Sequence, residues 1–149
     1  GRGIKTEFLA EPFAHRTVYL PILRTKMPAF LKTFDYPEPS NPQGLRDATN
    51  VPAQSLFLMN SPFVLEQSGH LAKRVLGEET EQAERLETLW RLTLSRSPSG
   101  SEIARSLEFL ARADDKLKAE QSDQAQREIT TWTMLGQALF ASAEFRYLN

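Results

Sequence analysis

Cysteine is absent from the 149 residues. That excludes disulfides, thiolate nucleophiles, cysteine-ligated zinc and cysteine-attached haem within this chain, but it fixes no redox compartment. Histidine is almost as scarce. His15 and His70 stand far apart in sequence, neither has an Asp, Glu or His at recognisable ligand spacing, and a metal site needs three or four donors. No metal site is therefore expected, and the lone histidines read as surface or boundary residues. Glycine is sparse, and none of it forms a phosphate loop or a dinucleotide fingerprint. No apolar run approaches the roughly 20 residues of a membrane span, so no membrane span is expected. No segment repeats at a period of about 20 to 50 residues. Neither sign of charge dominates: 18 Lys and Arg face 19 Asp and Glu, a net charge of -1. Without a basic cluster there is no electrostatic footprint for nucleic acid, which is not expected as a partner. No signal peptide is visible, and the opening Gly1-Arg2-Gly3 reads as the start of a piece cut from a longer protein.

What is present is ordinary globular material, 40% apolar and 25% charged, enough for one domain with a core of its own. Proline is concentrated at the front: all of the nine prolines except Pro98 lie in the first 62 residues. Residues 1–45 read as an extended arm carrying a short helix, and residues 46–149 as a helical core. Within the arm, Arg16 to Ile22 alternates, with Val18, Leu20 and Ile22 on one side and Thr17 and Tyr19 on the other. That is strand-like, but Pro21 restricts it to an edge and no partner strand is evident. Phe30, Leu31 and Phe34 share a face of a short helix over 26–34. Asp35 to Gly44 is a proline-rich connector.

The stretch from Arg46 to Phe63 is the seam between the two halves. Thr49 or Asn50 can cap a helix whose first turn holds Pro52. Leu56, Phe57, Leu58 and Met59 make that helix apolar on every side, which predicts a central, buried position. Ser61-Pro62 opens the next helix by the same logic, with Val64, Ser68, Leu71 and Val75 as its core stripe and Gly77 as a left-handed stop. A third helix is expected from Thr80, with Ala83, Leu86, Trp90 and Thr93 on one face. Ser99 to Glu102 is a capping box for a fourth, carrying Ile103, Leu107, Leu110 and Leu117, with a break near residues 121–123. A last helix holds Ile129, Trp132, Leu135, Gly136, Leu139 and Phe140. Gly136, mid-helix, points to close approach of a neighbour. The fold class is all-α: about five main helices in an irregular bundle, preceded by the arm and the short helix.

Chemistry is hard to find. Ser61 beside Asn60 fits no nucleophile elbow, Trp90 and Trp132 sit on apolar stripes, and no catalytic residue is assigned. The best binding candidates are Arg46 and Asp47, a guanidinium and a carboxylate beside an apolar helix. Tyr19 and Tyr36, with Tyr147, could add an aromatic platform for sugar. The alternative for Asp47 is a turn or cap that accepts backbone N–H groups.

Three segments taken together carry a resemblance: His15-Arg16-Thr17-Val18-Tyr19-Leu20-Pro21-Ile22, then Phe34-Asp35, then Arg46-Asp47 followed by Val51-Pro52-Ala53-Gln54-Ser55-Leu56-Phe57-Leu58-Met59-Asn60-Ser61-Pro62-Phe63-Val64. The chain resembles the planctomycete-specific C-terminal domain of unknown function called the PSD domain. The likeness spans most of the chain and weakens over 78–81 and 114–128. It implies an extracytoplasmic bacterial protein, periplasmic or at the cell surface, with a cytochrome-c-type domain upstream. Haem c would then belong to the parent, with no cofactor in this chain. It implies no activity and no catalytic residue. A second likeness joins Leu89 to Ser99 with Ser142-Ala143-Glu144-Phe145. It is similar to helical domains of secreted and surface-layer proteins with a Leu-Tyr-Arg-x-x-Leu-Gly-Arg-x-Pro pattern and a closing Ser-x-Glu-Phe. Ser95 stands where that pattern has glycine at a tight turn. The pattern makes a helix hairpin, with Arg96 placed to reach helix-end carbonyls and the terminal aromatic packing across.

Three functions follow as expectations. The first is a non-catalytic structural or interaction domain whose partner is the upstream domain of the same polypeptide. The second is a polysaccharide-binding module using the tyrosines and the Arg46-Asp47 region. The third is a contributor to an enzyme site completed by the upstream domain.

Overall fold

A computed structural model of the chain describes residues 29–34, 36 and 52–146. Among them are seven helices and no strand, the all-α class that the periodicity predicts. They fall into two units, one ending at Phe57 and the other beginning at Leu58. The strand-like stretch over 18–22, most of the proline-rich connector, and the Thr49 and Asn50 caps lie outside the described residues.

In the first unit, α1 is Ala29–Thr33 and α2 starts at Pro52. Leu31 is buried. The N–H of Phe34 donates to the Phe30 carbonyl and that of Tyr36 to the Leu31 carbonyl, which closes the end of α1. Phe34 meets Phe57 of α2 edge to face, with ring centroids 5.7 Å apart, a favoured aromatic geometry.

α2, Pro52–Asn60, departs from expectation. Leu58 is buried, but Leu56 and Met59 are 58% and 56% exposed. A helix that is apolar all round has no preferred face, so its composition alone cannot place it in a core. Its last turn is anchored where the Gln137 side chain donates to the Met59 carbonyl at 2.7 Å.

The second unit is built from α3 (Pro62–Glu78), α4 (Gln82–Leu94), α5 (Gly100–Leu117), α6 (Gln124–Phe140) and α7 (Ala143–Arg146). The helix at its centre is α6, which packs against α3, α4, α5 and α7. The start of α3 lies by Gln137, and the turn after α3 lies by Glu128 through Arg85. α3 and α6 therefore run antiparallel. The core joins Ala72 and Val75 of α3, Leu86, Leu89 and Trp90 of α4, Leu110 of α5, and Trp132, Leu135 and Leu139 of α6.

Three buried hydroxyls on these faces satisfy themselves within their own helices. Ser68 donates to the Val64 carbonyl, Thr93 to that of Leu89, and Thr131 to that of Glu128. A hydroxyl paired in this way avoids the cost of a buried orphan. Small polar residues can therefore sit where helices approach closely.

Several local expectations change. Gly77 is helical rather than a left-handed stop: α3 runs on to Glu78 and ends at extended Glu79, whose N–H donates to the Val75 carbonyl. α4 starts at Gln82 after Glu81, so Thr80 does not open it, and Ala83 is exposed. On α5 the inward positions are Ser106, Leu110 and Ala113, while Leu107 is exposed. A stripe counted only on large apolar residues misses the small ones that let helices touch. The capping box is as predicted: the Ser99 side chain accepts from the Glu102 N–H, and Glu102 accepts from the Ser99 N–H. The break at 121–123 is present, and the Asp123 side chain caps α6 by accepting from the Ala125 N–H.

Gly136 does face a close neighbour, but the approach leaves room. A Cβ there would lie 3.6 Å from Leu71 Cδ2 and 3.8 Å from Ser68 Cβ and its carbonyl oxygen, all ordinary van der Waals contacts. Gly136→Ala is expected to stabilise the chain by up to about 1 kcal/mol, through helix propensity. Gly136→Leu should destabilise it by about 1–3 kcal/mol through overpacking. Thermal melts of the two variants against wild type check both signs.

Candidate functional site

Of the predicted binding residues, only Tyr36 is described. It is half-buried at the end of α1, its N–H bonded to the Leu31 carbonyl. Tyr19, Tyr147, Arg46 and Asp47 lie outside the described residues, as does His15. His70 is exposed on α3, its Nε2 3.7 Å from the Glu66 carboxylate one turn back. Among the described residues, no three His, Asp or Glu side chains converge. Ser61 precedes α3, but its hydroxyl makes no cap bond and is buried without a protein partner. Trp90 and Trp132 are core residues.

The structure instead assembles a charged site at the elbow between α4 and α5. α4 ends at Ser95, which adopts the left-handed conformation (φ 58°, ψ 23°), and its N–H donates to the Arg91 carbonyl. This is the turn at which the similar pattern carries glycine; serine makes it at a conformational cost. The turn swings Arg96 back over Trp90, the guanidinium carbon 4.9 Å from the ring centroid, in cation–π range.

Every N–H of the Arg96 guanidinium then finds an acceptor. Nε donates to Glu144 Oε1 at 2.5 Å and Nη2 to Glu144 Oε2 at 2.8 Å. Nη2 also donates to Glu102 Oε1 at 2.8 Å, and Nη1 to Glu102 Oε2 at 3.0 Å. The second Nη1 hydrogen goes to the Ser97 carbonyl at 3.0 Å. A guanidinium has five N–H donors, and all five are used. The Arg96 partners are thus two carboxylates and a neighbouring carbonyl, not helix-end carbonyls as the pattern implied. The aromatic contact shown is local, with Phe145 edge-on to Phe140 at the end of α6, centroids 4.9 Å apart.

The electrostatics follow from this pairing. The bond from Arg96 is the main cause that lowers the Glu102 carboxyl to about 2, and bonds from the Ser99 N–H and hydroxyl lower it further. Arg96 likewise holds Glu144 below the ordinary carboxylate range, and the two carboxylates hold the Arg96 charge in place. Beside the cluster Glu87 accepts from Ser97 Oγ and Arg91 Nε, and those bonds lower its pKa. An open concavity of about 350 Å³ lies here, lined by Arg91, Ser95, Arg96 and Ser97.

Two further arginines play the same part at the other turns, and spacing arguments do not find them. Arg85 donates to the Glu79 carbonyl at 2.8 Å and to Glu128 Oε1 at 2.7 Å, tying the α3–α4 turn to α6. Arg127 donates to Asp114 Oδ1 and to the carbonyls of Gln121 and Ser122, fastening the α5–α6 turn. The polar run from Asp114 to Glu128 therefore contains a tether as well as a solvated face. The pairing across 43 positions between Arg85 and Glu128 leaves no local trace in sequence.

These observations define an all-α domain whose connecting turns are pinned by arginine. The chain belongs to the PSD1 family, described as a protein of unknown function (DUF1553), which matches residues 6–110. That stretch includes Arg96, the capping box and most of α5, while α6 and Glu144 lie beyond it. No curated protein and no solved structure matches the chain.

Two outcomes test the elbow. Ser95→Gly should raise stability by about 1 kcal/mol, and Ser95→Val should lower it by a similar amount, because only glycine adopts positive φ freely. Chemical denaturation of the three proteins measures this. The Glu102 carboxyl is depressed in the folded chain, so its contribution is fully present above the unfolded value near 4.5 and is lost as pH falls toward about 2. The stability gap between wild type and Glu102→Gln should accordingly narrow over that window and stay constant from pH 6 to 8, as read by denaturant midpoints at each pH.

Proposed function

We propose that this chain is a non-catalytic structural and interaction domain of a larger extracytoplasmic protein, with the upstream domain of the same polypeptide as its partner. The observation that carries the reading is the saturated guanidinium of Arg96. The best-formed polar cluster among the described residues directs all its donors into the fold. A binding or catalytic arginine keeps donors for its ligand; this one ties α4, α5 and α7 together. The resemblance through Val51 to Val64 supports a planctomycete setting, a haem-c-bearing parent, and a periplasmic or surface location. Tyr36, the described aromatic of the polysaccharide alternative, is half-buried, which favours packing over a sugar platform. The composite enzyme site would need Arg46 and Asp47 to meet groups supplied by the upstream domain.

The methionines give a direct test. Met59 and Met134 are 56% and 42% exposed on the second unit, and their methyl groups report contact when labelled with carbon-13. Adding the separately produced upstream domain should shift at least one of these resonances, while soluble oligosaccharides leave both in place. Shifts with oligosaccharide alone would favour the sugar-binding alternative. Substrate turnover by the isolated chain would overturn the non-catalytic reading.

A further inference from the structure

α5 and α6 form an antiparallel pair. Arg127 near the start of α6 holds Asp114 near the end of α5, while Arg96 brings Glu102 at the start of α5 to Glu144 just past α6. Leu107 stands two turns before Asp114, and Met134 two turns after Arg127. Seven residues of helix are about 10 Å long and close to two whole turns. Leu107 and Met134 therefore lie at one level, on the side of the α5–α6 seam that the ion pair marks. They are 36% and 42% exposed, and Ala104 and Ala111, beside Leu107 on α5, are exposed as well.

Along the outer edge of this apolar surface α5 carries a row of exposed charges: Arg105, Glu108, Arg112 and Asp115. Spaced three, four and three residues apart, they share one helix face. Their partners lie within α5 and its last turn. Arg105 donates to the Ser101 carbonyl, Glu108 and Arg112 stand 3.7 Å apart, and Asp115 meets Lys118 at 2.7 Å. Exposed contacts of this kind contribute little, and they leave the charges available to a partner.

The signs of the row alternate, so that read backwards it is its own complement. A second α5 laid antiparallel, with a two-fold axis level with Leu110, sets Arg105 against Asp115 and Glu108 against Arg112, each twice. Within the row no like charges meet. A closed two-fold interface requires this self-complementarity, and complementary charge fixes the register in which two surfaces meet.

We propose that the outer face of α5 and α6 is a homodimer interface, and that the occupant of the Leu107–Met134 surface is a second copy of this chain in the antiparallel register just described. The proposal goes beyond the interaction reading above and does not rest on it: the partner is the same chain, and association needs no other domain.

The test is analytical sedimentation of the full chain and its E108R, R112E and L107E variants, each checked for wild-type helix content by circular dichroism. Wild type should be monomeric when dilute and dimeric when concentrated, and the Met134 methyl resonance should move over the same concentration range. E108R sets Arg against Arg across the two-fold axis, and R112E sets Glu against Glu. Each should therefore associate at least about tenfold more weakly than wild type, and L107E likewise. An equimolar mixture of E108R and R112E should regain the dimer, because each opposed pair is then Arg with Glu, and misfolded chains could not produce that recovery. Wild type that stays monomeric up to about 1 mM, the weak end of measurable association, overturns the proposal. So do single reversals that associate as wild type does, and a mixture that stays as weak as its components. A wild-type dimer whose formation leaves the Met134 resonance in place also overturns it, and that result needs no variant.

Discussion

A guanidinium with no donor to spare is the constraint on which the second unit depends. Three helices converge on Arg96, and none of the three meets the others there through apolar packing alone. Glu102 is held from two sides, by the guanidinium and by the cap of α5, and Glu144 is gripped by the same guanidinium through both of its carboxylate oxygens. An isolated exposed ion pair contributes about 0–1 kcal/mol. Here the pairing is bidentate, networked and seated on Trp90, which favours geometric definition as much as energy. The strained serine just before it is tolerated because the elbow has to turn at that point for Arg96 to face back.

Arg85 and Arg127 extend the same solution. Arg85 donates to one backbone carbonyl of a turn and Arg127 to two, and each also donates to a carboxylate on another helix. The turn carbonyls at helix ends need partners, and a side chain with five donors in a planar fork can serve several at once. In a chain without cysteine, these pins do the positional work that covalent bridges do in other small domains.

Much of the helical framework was legible before any coordinates. The capping box at Ser99, the Ser61-Pro62 start, the core tryptophans and the break at 121–123 are all local signals, and local signals are what a sequence displays. The misreadings share a cause: they required knowing which face meets which neighbour. α2 looked central because it was apolar on all sides. α6 showed its inner face in Trp132, Leu135, Gly136 and Leu139, but nothing in that stripe said that this helix is the central one. Gly77 looked like a stop because glycine so often is one. The polar site was legible only in part. Arg96 and Glu144 stood in one pattern without the pattern saying that they touch, and Arg85 and Arg127 carried no signal, their partners being set by tertiary packing. The predicted pair Arg46 and Asp47 lies outside the described residues.

The central position of α6 has a consequence for the order in which the molecule is made. α3, α4 and α5 leave the ribosome first, with the faces of Val75, Leu86 and Leu110 turned toward a helix that does not yet exist. At about 5–20 residues per second, the roughly 60 residues between the start of α3 and the start of α6 separate these events by several seconds. Until then the chain has helices but no complete core. The arginine at the elbow can already find Glu102, a partner six residues away, well before it finds Glu144. The elbow is thus able to form on the growing chain, and the closing of the core waits on α6.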